Sequence, residues 1–135
     1  MKVLVTGGTG YIGSHTVVEL QQAGFDVIIA DNLSNSKIEV LDGIEKITGK
    51  RPEFEKLDIA DGVALRQFFA KNGDIDAIIH FAALKAVGES VQMPLEYYKN
   101  NLNTIINLLD CMKEFKVSNL VFSSSCTVYG QADEL

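Results

Sequence analysis

Twelve residues near the start of the chain constrain its fold more than any other stretch: Lys2-Val3-Leu4-Val5-Thr6-Gly7-Gly8-Thr9-Gly10-Tyr11-Ile12-Gly13. A β-branched apolar run feeds into glycines and then into a helical pattern, which reads as strand, turn and helix. Gly7, Gly10 and Gly13 fall at steps of three, and Gly8, Gly10 and Gly13 also satisfy G-x-G-x-x-G. Without Cβ atoms such a turn takes positive φ, lets a pyrophosphate approach the backbone and seats the helix close to the strand. The N–H groups of the helix's first turn then point at the anion. The plain alternative is a tight turn that binds nothing. The strand before the turn and the helix after it favour a nucleotide.

At 135 residues the chain is one domain's worth, and short for a nucleotide enzyme that must also enclose a second substrate. Its 47% hydrophobic and 22% charged residues suit a globular protein with a real core. A net charge of −6 argues against nucleic acid and against an anionic membrane surface, so an anionic ligand would be held by local backbone and a few cations. Cys111 and Cys126 form neither a C-x-x-C pair nor a disulfide framework, which points to packing roles and a reducing, cytoplasmic compartment. No apolar run nears the roughly 18 residues of a membrane span, and the N-terminus enters a strand without a leader pattern. The expectation is a soluble, unexported protein. His15 and His80 lack thiol or carboxylate partners at ligand spacing, so no metal is expected.

The chain then alternates strand and helix as one unit. Ile12, Thr16, Leu20 and Ala23 recur at helical spacing up to Gly24. A second strand, Asp26-Val27-Ile28-Ile29-Ala30, ends at Asp31, 18 residues past Gly13, where a dinucleotide fold puts an acid for the adenosine ribose hydroxyls. Alternatively, Asp31 caps a turn with Asn32. No arginine follows directly and the acid would repel a 2′-phosphate, so NAD is expected rather than NADP. The polar loop Asn32-Leu33-Ser34-Asn35-Ser36 leads to a helix from about Lys37 to Ile47, and Pro52 precedes a third strand near Glu53 to Leu57. Asp58, next to Ile59, suits either an adenine amine or a helix N-cap. Val63, Leu65, Phe68 and Phe69 make the stripe of a third helix.

The fourth strand, Asp76-Ala77-Ile78-Ile79-His80, has the near-continuous apolar run of a parallel strand covered on both faces. Beyond it a loop, Phe81-Ala82-Ala83-Leu84-Lys85 and on to Ser90, has small residues that let backbone pass under a ligand, with Lys85 as its cation. Pro94 opens a long helix to Phe115 with Tyr98, Leu102, Ile105, Leu109 and Met112 as its stripe. Asn100, Asn101 and Asn103 cost helix propensity there, which burial or a ligand would explain, although exposed amides are the simpler alternative. A fifth strand, Asn119-Leu120-Val121-Phe122, gives way to Ser123-Ser124-Ser125, hydroxyls at the end of a parallel strand where such sheets bind ligands.

Taken together, Val5 to His15, Asp31-Asn32-Leu33, Leu84 to Ser90, Pro94-Leu95-Glu96-Tyr97-Tyr98 and Phe122 to Ser125 resemble the extended short-chain dehydrogenase/reductase family. Within it they are most similar to the members that epimerise UDP-hexoses. The first block is common to the family; Lys85-Ala86-Val87-Gly88-Glu89-Ser90 followed by the Pro-Leu-Glu-Tyr-Tyr block is particular to those epimerases. The resemblance covers essentially the whole chain. It implies an isomerase that keeps NAD bound while hydride leaves C4 of a UDP-hexose and returns to the other face of a 4-keto sugar, interconverting UDP-glucose and UDP-galactose. A tyrosine base, a lysine that lowers its pKa and a serine carry the proton. By this match Ser125 is the catalytic serine, and Ser125 and Lys85 face the substrate. Carried over as NAD contacts, with Gly7, Gly10 and Gly13, are Tyr11, Ile12, Asp31, Asn32, Leu33, Ser34, Asn35, Ser36, Asp58, Ile59, Phe81, Ala82, Ala83, Leu84, Lys85 and Asn100. A homodimer is also implied.

The chain departs from the family at one point. Four residues after Tyr11, Tyr97, Tyr98 and Tyr129 stand His15, Asn101, Leu102 and Asp133, so it has no Tyr-x-x-x-Lys. In the family that pair lies on the helix after the serine strand. The expectation is therefore a partial, doubly wound α/β domain of Rossmann type, parallel strands in order 3-2-1-4-5, forming the N-terminal NAD-binding part of an epimerase and inactive alone. Another family member acting on a nucleotide sugar, such as a dehydratase, and a non-catalytic NAD-binding module are the alternatives.

Overall fold

A computed structural model describes residues 1–125, 128 and 130. Cys126, Thr127 and Tyr129 lie outside the described residues. Strands β1 (Lys2–Thr6), β2 (Asp26–Asp31), β3 (Glu53–Lys56), β4 (Ile75–His80) and β5 (Asn119–Phe122) form one parallel sheet in the order β3-β2-β1-β4-β5. It is one of the few orders that right-handed crossovers allow for alternating strands and helices. The central strand is flanked on both sides and covered on both faces, which is why Val3, Leu4, Val5 and Thr6 are all buried. Thr6 stands opposite Ala30 in β2 and opposite His80 in β4. That register brings the segments after β1, β2 and β4 out at one edge of the sheet.

Side chains alternate between two layers. Val3, Val5, Val27 and Ile29 pack against Val17 of α1 (Tyr11–Gln22) and Leu41 and Ile44 of α2 (Val40–Thr48). Leu4, Ile28 and Ile78 pack against Leu65, Phe68 and Phe69 of α3 (Gly62–Lys71) and Leu108, Cys111 and Met112 of α5 (Pro94–Phe115). The first layer stops short. Ala77 and Ile79 of β4 are only partly buried there, and Val121, opposite Ile79 in β5, is 60% exposed.

Several helices differ from the sequence reading. In α1 the buried residues are Gly13 and Val17, whereas Ile12 and Ala23 are exposed. The inward face is turned by one residue because the glycine, not the isoleucine, lies against the turn. Helix α2 begins three residues after Lys37, since the N–H groups of Val40 and Leu41 bond the carbonyls of Lys37 and Ile38 in tight turns. In α3, Leu65, Phe68 and Phe69 are buried as expected, but Val63 is exposed. The loop from Phe81 to Ser90 runs into a short helix, α4 (Val87–Gln92). Helix α5 keeps its expected span, with Pro94 in the first turn. Its buried face is Tyr97, Thr104, Leu108, Cys111 and Met112, while Tyr98, Leu102 and Leu109 are exposed. With Leu95 and Ile106 they form a second apolar face on α5.

Candidate functional site

The glycine turn is held by backbone contact. Gly7 has φ of 69°, and a Cβ there would come within 2.8 Å of the Ala82 backbone nitrogen. A Cβ on Gly13 would run into the Gly7 carbonyl oxygen and the Gly8 Cα. The turn after β1 thus lies on the segment after β4, and the start of α1 lies on the turn. Gly10 is the N-cap of α1, with no side-chain cap and no acid in the first turn. By contrast, Asp61 caps α3 by accepting from the N–H groups of Val63 and Ala64. The first turn of α1 therefore keeps side chains off its N–H groups. Tyr11 and Ile12 stand exposed beside it.

Asp31 joins this turn to the polar loop after β2. Its Oδ2 accepts from the Thr9 N–H at 3.3 Å, and its Oδ1 from the Leu33 N–H at 2.9 Å and the Ser36 hydroxyl at 3.2 Å. Thr9 and Ser36 share a further bond between hydroxyls at 2.7 Å. The turn-capping and ribose-facing readings of Asp31 are therefore compatible: a carboxylate has about four acceptor positions, and three internal donors leave one open. Asn32 accepts from the Ser34 N–H at 3.0 Å, and Asn32, Ser34 and Asn35 are exposed. Asp58 accepts from the Ala60 N–H at 2.9 Å, so it shapes its own loop while the cap of α3 falls to Asp61. Ile59 is buried, and Asn107 of α5 donates to the carbonyls of Ile59 and Ala60 at 3.0 and 2.9 Å.

On the other side of β1 the seam is a buried pair, Thr6 Oγ1 and His80 Nδ1 at 2.6 Å. The Ala82 N–H donates to the same hydroxyl at 3.4 Å. Burial pushes the His80 pKa down to about 4, so the ring is neutral at pH 7. It stacks on Phe122 of β5, with centroids 5.7 Å apart. The Ser123 N–H reaches the His80 carbonyl at 3.1 Å, carrying Ser123, Ser124 and Ser125 out exposed at the same sheet edge.

The segment around Lys85 is gripped from α5. Asn101 donates to the Leu84 carbonyl and accepts from the Leu84 N–H, both at 2.9 Å. Asn100 donates to the same Asn101 oxygen at 3.0 Å. The Tyr97 hydroxyl accepts from the Ala86 N–H at 3.2 Å and donates to Glu89 at 2.5 Å, and the Glu89 carboxylate holds the Tyr97 pKa above its ordinary value. Lys85 is exposed, as is Ala83, with Phe81, Ala82 and Leu84 partly covered. The sequence alone assigns no role to Thr6, Tyr97 or Asn107, and marks Asn101 only as one of the costly amides of the long helix.

The structure therefore gathers Gly7, Gly13 and Asp31 around one turn, through close packing at the glycines and the Thr9 N–H bond at Asp31, sets Lys85 and Ser125 on the β4–β5 side, and keeps Asp58 and Ile59 on the β3 side. A family model described as the NAD dependent epimerase/dehydratase family matches residues 3–135. The chain is 60% identical over 128 residues to a UDP-glucose 4-epimerase of Schizosaccharomyces pombe, covering 95% of this chain and 36% of that protein. It is 53% identical over 130 residues to the UDP-glucose 4-epimerase of Bacillus subtilis, covering 96% of this chain and 38% of the other. The solved UDP-glucose 4-epimerase of Bifidobacterium longum, in complex with NAD+ and UDP, superimposes with a TM-score of 0.94 at 50% identity, over 100% of this chain and 40% of that one. The chain thus spans well under half the length of these relatives, at their N-terminal part. It belongs to the NAD dependent epimerase/dehydratase family.

Proposed function

We propose that this chain is the NAD-binding part of a UDP-glucose 4-epimerase. One observation carries the reading: the Asp31 carboxylate and the glycine turn are joined through the Thr9 N–H, so a ribose acceptor and a pyrophosphate cradle sit side by side at the end of the central strands. The groups present fit the cofactor. Gly7 and Gly13 leave no room for a Cβ, the first turn of α1 is free of side-chain caps, and Asp31 keeps an open acceptor position.

In this reading Asp31 receives the adenosine ribose hydroxyls, and the loop Asn32 to Ser36 borders them. Gly7, Gly10, Tyr11, Ile12 and Gly13 back the pyrophosphate. Asp58 and Ile59 lie towards the adenine, and Phe81 to Lys85 with Asn100 towards the remaining half. NAD, when bound, supplies a hydride acceptor and donor for C4 of a UDP-hexose. Ser125 shares the hydrogen bond through which the 4-hydroxyl proton leaves, and Lys85 borders the substrate. The same reading has the enzyme act in the cytoplasm, in galactose metabolism, as a homodimer. The apolar α5 face of Leu95, Tyr98, Leu102, Ile106 and Leu109 supports the last point.

Calorimetric titration of the 135-residue chain with NAD and NADP tests the assignment. The expected result is measurable NAD binding, at least tenfold weaker NADP binding because Asp31 repels a 2′-phosphate, and a rise in melting temperature with NAD. UDP-galactose should not be converted, because no tyrosine of this chain is followed four residues on by lysine. Equal affinity for both nucleotides, or epimerase turnover by the homogeneous chain, would overturn the reading.

A further inference from the structure

Two side chains one helical turn apart on α5, Tyr97 and Asn101, take three backbone groups of the loop after β4. Asn101 pairs with both the N–H and the carbonyl of Leu84, as a neighbouring strand would. Tyr97 takes the Ala86 N–H and anchors its own hydroxyl on Glu89. Residues i and i+4 of a helix share a face, so the two grips fall on either side of Lys85. The chain fixes the backbone on both flanks of this lysine and leaves its side chain exposed. Asparagine is a poor choice in a helix interior, because its amide competes for backbone partners. Here that competition is directed at a loop rather than at the helix.

We infer that Tyr97 and Asn101 are positioning residues, which hold the Phe81 to Ala86 backbone and Lys85 against the half of a bound dinucleotide that lies beyond its pyrophosphate. The inference rests on the NAD reading above and extends it to residues outside the contact surface. Its geometry is one-sided. Asp31 is the last residue of β2, while the gripped loop leaves β4 on the other side of the central strand and abuts Gly7 through Ala82. A dinucleotide with its adenosine at Asp31 therefore lays its other end towards this loop. The brace touches only that end.

The test compares two nucleotides on the same 135-residue chain. ADP carries the adenosine and pyrophosphate alone, and NAD carries the further half. Asn101→Ala should weaken NAD about tenfold and Tyr97→Phe about threefold, the loss of two and of one modest hydrogen bond to the loop backbone. ADP affinity should stay within about twofold. Asn101→Asp retains an acceptor for the Leu84 N–H and loses the donor to its carbonyl, so it should fall between Asn101→Ala and the unaltered chain. Amide hydrogen exchange should show Leu84 losing protection in Asn101→Ala, and Ala86 in Tyr97→Phe, while Val5 and Ile29 keep theirs. If Asn101→Ala fails to fold, Tyr97→Phe still decides, since it retains the buried ring. NAD and ADP weakened alike, or an NAD-to-ADP ratio untouched in every folded variant, would overturn the brace and leave the NAD reading standing. An unaltered chain that binds neither nucleotide would overturn both.

Discussion

The turn between β1 and α1 and the loop between β4 and α4 emerge at the same edge of the sheet, yet they are held by opposite means. The turn is fixed by close backbone packing that leaves no room for side chains at Gly7 and Gly13, and by an acid that accepts from Thr9, Leu33 and Ser36. The loop has small, partly exposed residues and is fixed from outside, by an asparagine and a tyrosine reaching across from α5. A phosphate cradle tolerates almost no displacement and gains from a rigid backbone. A loop of small residues that borders a larger ligand gains from side chains of a neighbouring helix that hold its backbone.

Acid should separate the two regions most strongly. Buried, neutral His80 sits at the root of the gripped loop, with a folded pKa of about 4 against 6.5 when free. Its contribution to stability is whole above 6.5, falls as pH drops from 6.5 towards 4, and is gone below about 4, because the unfolded chain binds the proton first. The expected cost is about 2 kcal/mol at pH 5 and about 3 kcal/mol below pH 4. Urea unfolding from pH 7.5 to 5 should show this slope, and His80→Gln should flatten it. Exchange at mild acid should open amides of β4 and β5 before those of β2; the reverse order would break the comparison.

Next in size is Asp31→Ala, which removes a ribose acceptor and unties the turn from the polar loop. NAD binding should weaken by about 1.5–3 kcal/mol, and the melting temperature of the free chain should fall as well. A variant that loses NAD affinity with an unchanged melting temperature would mean that the internal bonds of Asp31 matter little.

A pair of glycine substitutions sharpens the contrast at smaller scale. Gly13→Ala, where a Cβ meets backbone, should cost about 1–3 kcal/mol of stability and abolish the NAD-dependent rise in melting temperature. Gly88→Ala in α4, where a Cβ meets open space, should be neutral or stabilise by up to about 1 kcal/mol. Thermal melts with and without NAD measure both.

Strands and their order were legible because each parallel strand is a short apolar run and crossover handedness leaves little choice. Asp31 was legible from its distance to the glycine turn. The faces of α5 were not. Tyr98, Leu102 and Leu109 repeat as well as the buried set does, and periodicity cannot tell a face that meets the sheet from one left exposed. Helix α4 was missed because six residues with an internal glycine hold too few turns for a period to register. The roles of Asn101 and Asn107 depend on which loops the fold carries to α5, more than 15 residues away along the chain. The cost in helix propensity marked Asn101 beforehand, and nothing marked Asn107.

The central place of β1 also sets a schedule for synthesis. Its first neighbour, β2, ends at Asp31, but the second, β4, begins at Ile75. At about 5–20 residues per second, the chain between them takes about 2–9 s to make. Through that interval Val3, Leu4 and Val5 have a partner on one edge only, and the open edge is a template for pairing with another nascent chain. The best protected strand of the finished sheet is made first and closed late, so crowding on the ribosome bears on the same five residues that later anchor the glycine turn.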